Sequence, residues 1–479
     1  MFDREDPNFF WVSPDSFDGD GSFDSPFPTI EEALNKVQPG QSVILKDGIY
    51  KDDITIQISG TATKPIRICG DEGALVEILN GCWFFYDTCD LIISNLTFKE
   101  APVGAISMIG ACMRNRFELI NFIDCGRTEK ASCTIYIGGS GAECNVIENC
   151  NFLHNDSYSK ATGENTSIGI MISEGDIDGN EPIRHHICRR NKFTNYGYGI
   201  LIGSNNATVN PYGHIVELNI LDNCQSEGVL VKCGDTQIRG NLIKNSKKNS
   251  IKITAGIGNS VENNRIENCA KGIEVNGCGH TVNNNCIIQC CEQAITVCGQ
   301  TGDDITAANN LFIENNTIIH CGISSSDNGN RIVGIKIEPG TTSIIQQNLV
   351  YGSGKPYFIE PISAGTDTIQ ESHYVVIDNI VSDSIEEMSG FKRSKFCFEN
   401  PAEGNYTNES GYGAKGWVLL PEAFDPNQED LDTGIEYEEV CTIIDDDGNL
   451  LLPEESDQKE IIQSYFTESG MFNSEDIES

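Results

Sequence analysis

The sequence predicts an all-β fold: a single-stranded, right-handed parallel β-helix of about ten coils with an N-terminal capping helix. Three observations carry this. First, apolar-x-apolar triplets recur at Ile135-Tyr136-Ile137, Ile170-Met171-Ile172, Ile200-Leu201-Ile202, Val229-Leu230-Val231, Ile251-Lys252-Ile253, Ile273-Glu274-Val275, Ile295-Thr296-Val297 and Ile335-Lys336-Ile337. Such alternation marks strands with one face buried. Second, from Val229 to Ile295 the step is 22 residues each time, a period that fits coils of two or three short strands. Third, an asparagine falls between successive triplets, at Asn219, Asn241, Asn264, Asn285, Asn316, Asn348 and Asn379. At a tight corner asparagine bonds to backbone and tolerates a left-handed conformation, and stacked asparagines bond one another in a ladder. Coils spaced about 4.8 Å apart would make a stack roughly 50 Å long.

The chain divides into four stretches. Residues 1–40 form an N-terminal segment with the capping helix: Ile30, Ala33, Leu34 and Val37 make an apolar helical stripe, Thr29 and Glu32 a capping box, and Pro39-Gly40 a stop. A helix there would cover the open apolar end of the first coil. Residues 41–385 are the β-helix and 386–424 a C-terminal cap region. Residues 425–479 form an acidic tail, with 18 acidic residues against the single base Lys459. The tail suggests a homotrimer or larger assembly held through it.

Acidic residues number 71 against 32 basic, for a net charge of −39. Long-range attraction to nucleic acid or an anionic membrane would have the wrong sign, and no apolar run is long enough to span a bilayer. No nucleic-acid partner and no membrane insertion are therefore expected. Five residues after the asparagine marker stand Cys224, Ser246, Cys269, Cys290, Cys321 and Ser353, a column of small residues in which cysteine packs as a compact apolar group. Few or no disulfides are expected, so the cysteines read as reduced. The opening Met-Phe-Asp-Arg-Glu-Asp lacks the pattern of a signal peptide. The expected setting is extracellular or virion-associated, reached either by a route without a leader or with a leader that lies outside this sequence.

Loop lengths locate a candidate site. From triplet to asparagine the usual gap is 10–12 residues, but after Ile172, Ile202 and Val297 it is 19, 17 and 19. The first two insertions fall on neighbouring coils and would build a wall, with Lys232 at its foot on the next coil. Two basic clusters stand out in so acidic a chain: Lys232, Arg239, Lys244, Lys247, Lys248 and Lys252, and Arg184, His185, His186, Arg189, Arg190 and Lys192. They read either as solvated side chains guarding strand edges or as a groove for an anionic polysaccharide. In the second reading Arg184, Arg189, Arg190, Tyr212 and Arg239 bind substrate. Tyr196, Tyr198 and Tyr212 either stack on sugar rings or pack in the core.

The stretch from Tyr198-Gly199-Ile200-Leu201-Ile202-Gly203 through Glu227-Gly228-Val229-Leu230-Val231-Lys232-Cys233-Gly234-Asp235 to Asn263-Asn264 resembles family 6 of the polysaccharide lyases, the alginate and dermatan sulfate lyases. The opening Gly21-Ser22-Phe23-Asp24-Ser25-Pro26 through Gly60-Thr61-Ala62-Thr63-Lys64-Pro65-Ile66 is similar to the same group and to other β-helical sugar enzymes. The resemblance spans roughly residues 20–350 and implies β-elimination on a uronic-acid polymer. A base removes the C5 proton while Ca²⁺ or another cation neutralises the adjacent carboxylate. By the same resemblance Lys232 is the base and Glu227, five residues earlier, a calcium ligand. Gln225 stands where the family has a second glutamate, Asn195 matches a ligand asparagine, and Thr254 stands where the family has an arginine. Lys252, two positions away, is the nearest cation and completes the catalytic candidates. A C5-epimerase would share the proton abstraction. The alternative is a virion tail spike or surface protein that binds a host glycan without turnover.

Overall fold

In the computed structural model the chain divides into two units, Met1–Asn427 and Gln428–Ser479. The structure describes residues 2, 4–51, 53–126, 132–155, 167–173, 183–203, 213–299, 308–322, 333–351, 355–359, 373–377, 379–382 and 391–394. The second unit, with the acidic tail, lies outside them.

The first unit is a parallel β-helix. Among the described residues one sheet contains twelve strands, one per coil, from Ile54–Ile56 to Lys355–Ile359, each paired in parallel with the next. The predicted triplets supply eight of these strands. The remaining four are Ile54–Ile56, Trp83–Tyr86, Ile106–Ile109 and Lys355–Ile359, which raises the count above the expected ten. The second sheet has 26 strands, most coils giving it two that meet at the asparagine corner, as Ile215–Glu217 and Ile220–Asp222 do around Asn219.

The asparagine ladder is continuous and starts one coil earlier than the sequence markers, at Asn191. Each Oδ1 accepts both the backbone N–H and the Nδ2 of the asparagine before it, at 2.8–3.1 Å from Asn191–Asn219 through to Asn348–Asn379. Each Nδ2 also donates to a carbonyl of the preceding coil, as Asn219 does to Cys188 (2.9 Å). A polar column in the core is thus satisfied bond by bond.

A second ladder runs along the other inner corner. Asn115 N–H donates to Asn145 Oδ1, Asn145 N–H to His186 Nδ1 and His186 N–H to His214 Nδ1, at 3.0–3.2 Å. Thr236 N–H then donates to Asn259 Oδ1 and Asn259 N–H to His280 Nδ1. His186 and His214 are fully buried, with rings stacked at 5.3 Å. His186 is therefore a neutral internal spacer and not part of a basic surface.

The core layers repeat the same stacking. Phe98, Phe122, Phe152 and Phe193 stack at 4.4–5.6 Å, and Leu221 and Ile243 continue their column in register. Cys224, Ser246, Cys269, Cys290 and Cys321 are buried as expected, while Ser353 lies outside the described residues. Cys269 and Cys321 accept backbone N–H groups from Ser246 and Cys290 (both 3.4 Å). The cysteines of the described residues are free thiols.

The N-terminal helix is shorter than predicted. Only Ile30–Leu34 is helical, so no helix of seven residues or more caps the stack. Thr29 Oγ1 accepts from Glu32 N–H (3.3 Å), but the α-pattern ends at Asn35. Ile30, Ala33, Leu34 and Val37 are nonetheless buried. The strand Phe9–Val12 adds one parallel partner to Ser42–Leu45 at the same end.

Candidate active site

Strand register places the candidate residues. In the twelve-stranded sheet Leu201 pairs with Leu230, Leu230 with Lys252, Lys252 with Glu274 and Glu274 with Thr296. These side chains alternate with the inward Val229, Val231, Ile251 and Ile253 and so share the outward face. The column is apolar on the earlier coils, where Ile168, Leu201 and Leu230 cluster with Met171 and Tyr198. At Lys252 it becomes charged. Glu227 and Lys232 flank the strand Val229–Val231 at this boundary, one before it and one after it.

Two glycines shape the site. A side chain at Gly228 would come within 2.6 Å of the Ser250 carbonyl and 2.9 Å of Ile243, so the chain beside Glu227 can approach the next coil only without a Cβ. Gly203 (φ 90°) lies under Lys232, whose Cβ would be 3.0 Å from any Cβ there.

The two lysines stand in different electrostatic settings. Burial pushes the Lys232 ammonium below the ordinary lysine pKa, with Glu227 opposing the shift. Burial also acts on Lys252, but the hydrogen bond and charge of Glu274, aided by Cys298 and Glu227, carry its pKa above the ordinary value. Lys252 Nζ lies 2.6 Å from Glu274 Oε1, and Lys271 Nζ 3.6 Å from Glu274 Oε2. Lys232 is thus eased toward the neutral amine, while Lys252 is fixed as a cation. Glu274 and Lys271 were not legible as site residues because their relation to Lys252 depends on coil register.

Glu227 is buried and its Oε2 accepts from Ser226 Oγ (2.5 Å). At the corner before this strand, Asn223 Nδ2 donates to Asn195 Oδ1 (2.7 Å), and Gln225 Nε2 donates to the Asn223 carbonyl (3.0 Å). Asn195 and Gln225 therefore belong to one amide chain, but with Asn195 Oδ1 already accepting and Glu227 the single carboxylate among the three, these residues do not fit the cage of six to eight oxygens that calcium takes.

The arginines lie elsewhere. Glu148 pairs in register with Arg189, Arg189 with Glu217, Glu217 with Arg239 and Arg239 with Glu262, all on the 26-stranded sheet. Arg189 Nε is 2.6 Å from Glu148 and Arg239 Nε 2.8 Å from Glu217. Arg189 and Arg239 are thus the basic half of an alternating charge ladder whose acids come from neighbouring coils. Arg184 faces Glu143 (3.9 Å), and Arg190 occupies a left-handed corner (φ 54°) just before Asn191. None of the four is on the sheet that holds Lys252. Tyr196 is wholly buried, its hydroxyl 2.9 Å from Thr134 Oγ1. Tyr198 is on the outward face beside Glu227, whose carbonyl accepts from Gly199 N–H (3.3 Å). Tyr212 and the loops expected to form a wall lie outside the described residues.

Residues 185–330 match a sequence family described as a right handed beta helix region. The coil is right-handed. Among solved structures, the PL6 family alginate lyase AlyGC superposes with a TM-score of 0.65 at 18% identity, covering 86% of this chain and 57% of that one. A PL6 alginate lyase in complex with a trisaccharide superposes with a TM-score of 0.56 at 16% identity, covering 87% of this chain and 95% of the other. An uncharacterized Bacillus subtilis protein, YwoF, is 28% identical over 109 residues, 20% of this chain and 23% of its own length. The chain thus spans little more than half the length of AlyGC and under a quarter of YwoF. At these identities the likeness is one of fold.

Proposed function

We propose that the protein acts on a uronic-acid polysaccharide by β-elimination, with Lys232 as the base. The observation that carries this is the pair of unlike lysines on one outward face: Lys232 with its pKa lowered by burial and Lys252 held charged by Glu274. An eliminase needs both, a base neutral for part of the time and a fixed positive charge for the carboxylate beside the reacting carbon. The Lys232 amine would take the C5 proton. The C5–H electron pair becomes the C4–C5 double bond, the C4–O bond breaks, and the departing oxygen takes up a proton. Negative charge accumulating on the carboxylate would be balanced by the Lys252 ammonium. Tyr198 and the apolar cluster around Leu230 supply the kind of surface on which a sugar ring rests. Likeness in fold to alginate lyases supports the choice of a uronate polymer.

The test is the absorbance of unsaturated uronate during incubation with alginate, polymannuronate, pectate and dermatan sulfate. Product from at least one is expected, and because Lys252 supplies the cation, a calcium-selective chelator should leave the rate within about twofold. No product from any polymer, with or without added calcium, removes the proposal.

A further inference from the structure

We infer a second site, for a borderline-soft divalent metal of the zinc class, at the left-handed corner that leads into the 26-stranded sheet. Its ligands are Glu143, Cys144 and His185. One donor atom from each lies within 4.8 Å of the others, and all three side chains are partly exposed. A carboxylate, a thiolate and an imidazole form a mixed O, S, N set that suits zinc, with a fourth tetrahedral position left for water. This site lies on a different sheet from Glu227 and Lys232 and does not depend on the proposed lyase chemistry.

The coil geometry builds the site. Cys144 and His185 occupy equivalent left-handed positions (φ 54° and 57°) on consecutive coils, so their side chains project in a common direction one coil apart. The backbone between them is clamped: Glu143 and Arg184 form a parallel bridge, Arg184 N–H donates to the Ala142 carbonyl and Cys144 N–H to that of Arg184 (both 3.2 Å). His185 Nδ1 already lies 3.1 Å from Glu143 Oε1. On the following coil the same left-handed position is Gly213 (φ 66°). A Cβ there would come within 2.6 Å of the imidazole Cδ2 and 3.0 Å of Nε2, so the bare backbone gives the ring its seat and leaves Nδ1 toward Glu143. Arg184 Nε, 3.9 Å from the same oxygen, is beyond hydrogen-bond length. It competes with a metal electrostatically and would swing aside on binding. Binding releases the Cys144 thiol proton to solvent, and affinity rises with pH.

The test is titration of the metal-stripped full chain with Co²⁺, read as thiolate-to-cobalt charge transfer and tetrahedral d–d absorption, followed by displacement with Zn²⁺. One equivalent per chain is expected. Cys144→Ser should abolish the charge-transfer band, and His185→Asn, which keeps a residue tolerant of the left-handed backbone, should weaken binding at least about tenfold. Arg184→Ala should tighten it. A charge-transfer band that is absent in the wild type, or unchanged in Cys144→Ser, overturns the inference. X-ray absorption of the zinc-loaded wild type gives a result independent of variant folding: one sulfur and the rest nitrogen or oxygen supports the site, and two or more sulfurs contradicts it.

Discussion

Burial and the Glu227 carboxylate act on Lys232 in opposite directions, and that opposition can be measured. Burial favours the neutral amine, whereas the Glu227 carboxylate favours the ammonium. Replacing Glu227 by Gln removes the negative charge that raises the Lys232 pKa. The limb on which activity rises with pH, as Lys232 loses its proton, should therefore move to lower pH. A pH–rate profile of Glu227→Gln checks this. If activity is instead lost at every pH and restored by millimolar calcium, Glu227 is a metal ligand and the role given to Lys252 is wrong. Asn264 shows the same logic in the scaffold. Its Oδ1 accepts from Asn241 N–H and Nδ2, and its Nδ2 donates to the Ile238 carbonyl and Asn285 Oδ1. Asn264→Ala should cost about 2–4 kcal/mol by chemical denaturation, because it leaves buried partners unpaired on both neighbouring coils. The asparagine column was legible from sequence because each coil repeats it at one register. The roles of the arginines were not, since Arg189 and Arg239 meet Glu148 and Glu217 only once the coils are stacked.

Among the elements, the second ladder, from Asn115 to His280, carries the clearest pH dependence. Burial pushes His186 down to about 3 and His280 down to about 4, and drives His214 well below the usual 6.5. These imidazoles must stay neutral in the fold but can protonate in the unfolded chain. Their contribution is complete above about pH 6.5 and is lost as pH falls through the window toward 4 and then 3, at up to about 1.4 kcal/mol per pH unit for each histidine. His214→Asn places in this column a residue type already used at Asn145 and Asn259. The acid-unfolding midpoint should move to lower pH in this variant, followed by circular dichroism; a midpoint that stays or rises contradicts the assignment. From His186 to His280 the column falls five residues before each ladder asparagine. That spacing was available in the sequence, but histidines next to arginines read first as charge. The capping helix shows a different limit: the stripe and capping box describe the buried residues correctly, yet the α-pattern stops at Asn35 while Val37 keeps its place without it.

At the scale of the molecule, stacking converts a repeat of short strands into a continuous outward face. That conversion draws Glu227, Lys232, Lys252 and Glu274 from three consecutive coils, and it was legible as far as the 22-residue step holds. The irregular early coils, such as the one carrying Trp83–Tyr86 rather than a simple triplet, and the long insertions were less legible, because their lengths follow no period. The central claim is that this face abstracts a proton from C5 of a uronate. Proton NMR of polymannuronate, alginate, pectate and dermatan sulfate incubated with the protein in D₂O tests it most directly, since both elimination and epimerisation consume the C5 proton. Loss of that signal with the appearance of an olefinic H4 is expected in at least one polymer, reduced at least about a hundredfold in a folded Lys232→Ala variant. Full retention of the C5 proton in every polymer, or undiminished loss in Lys232→Ala, would contradict it.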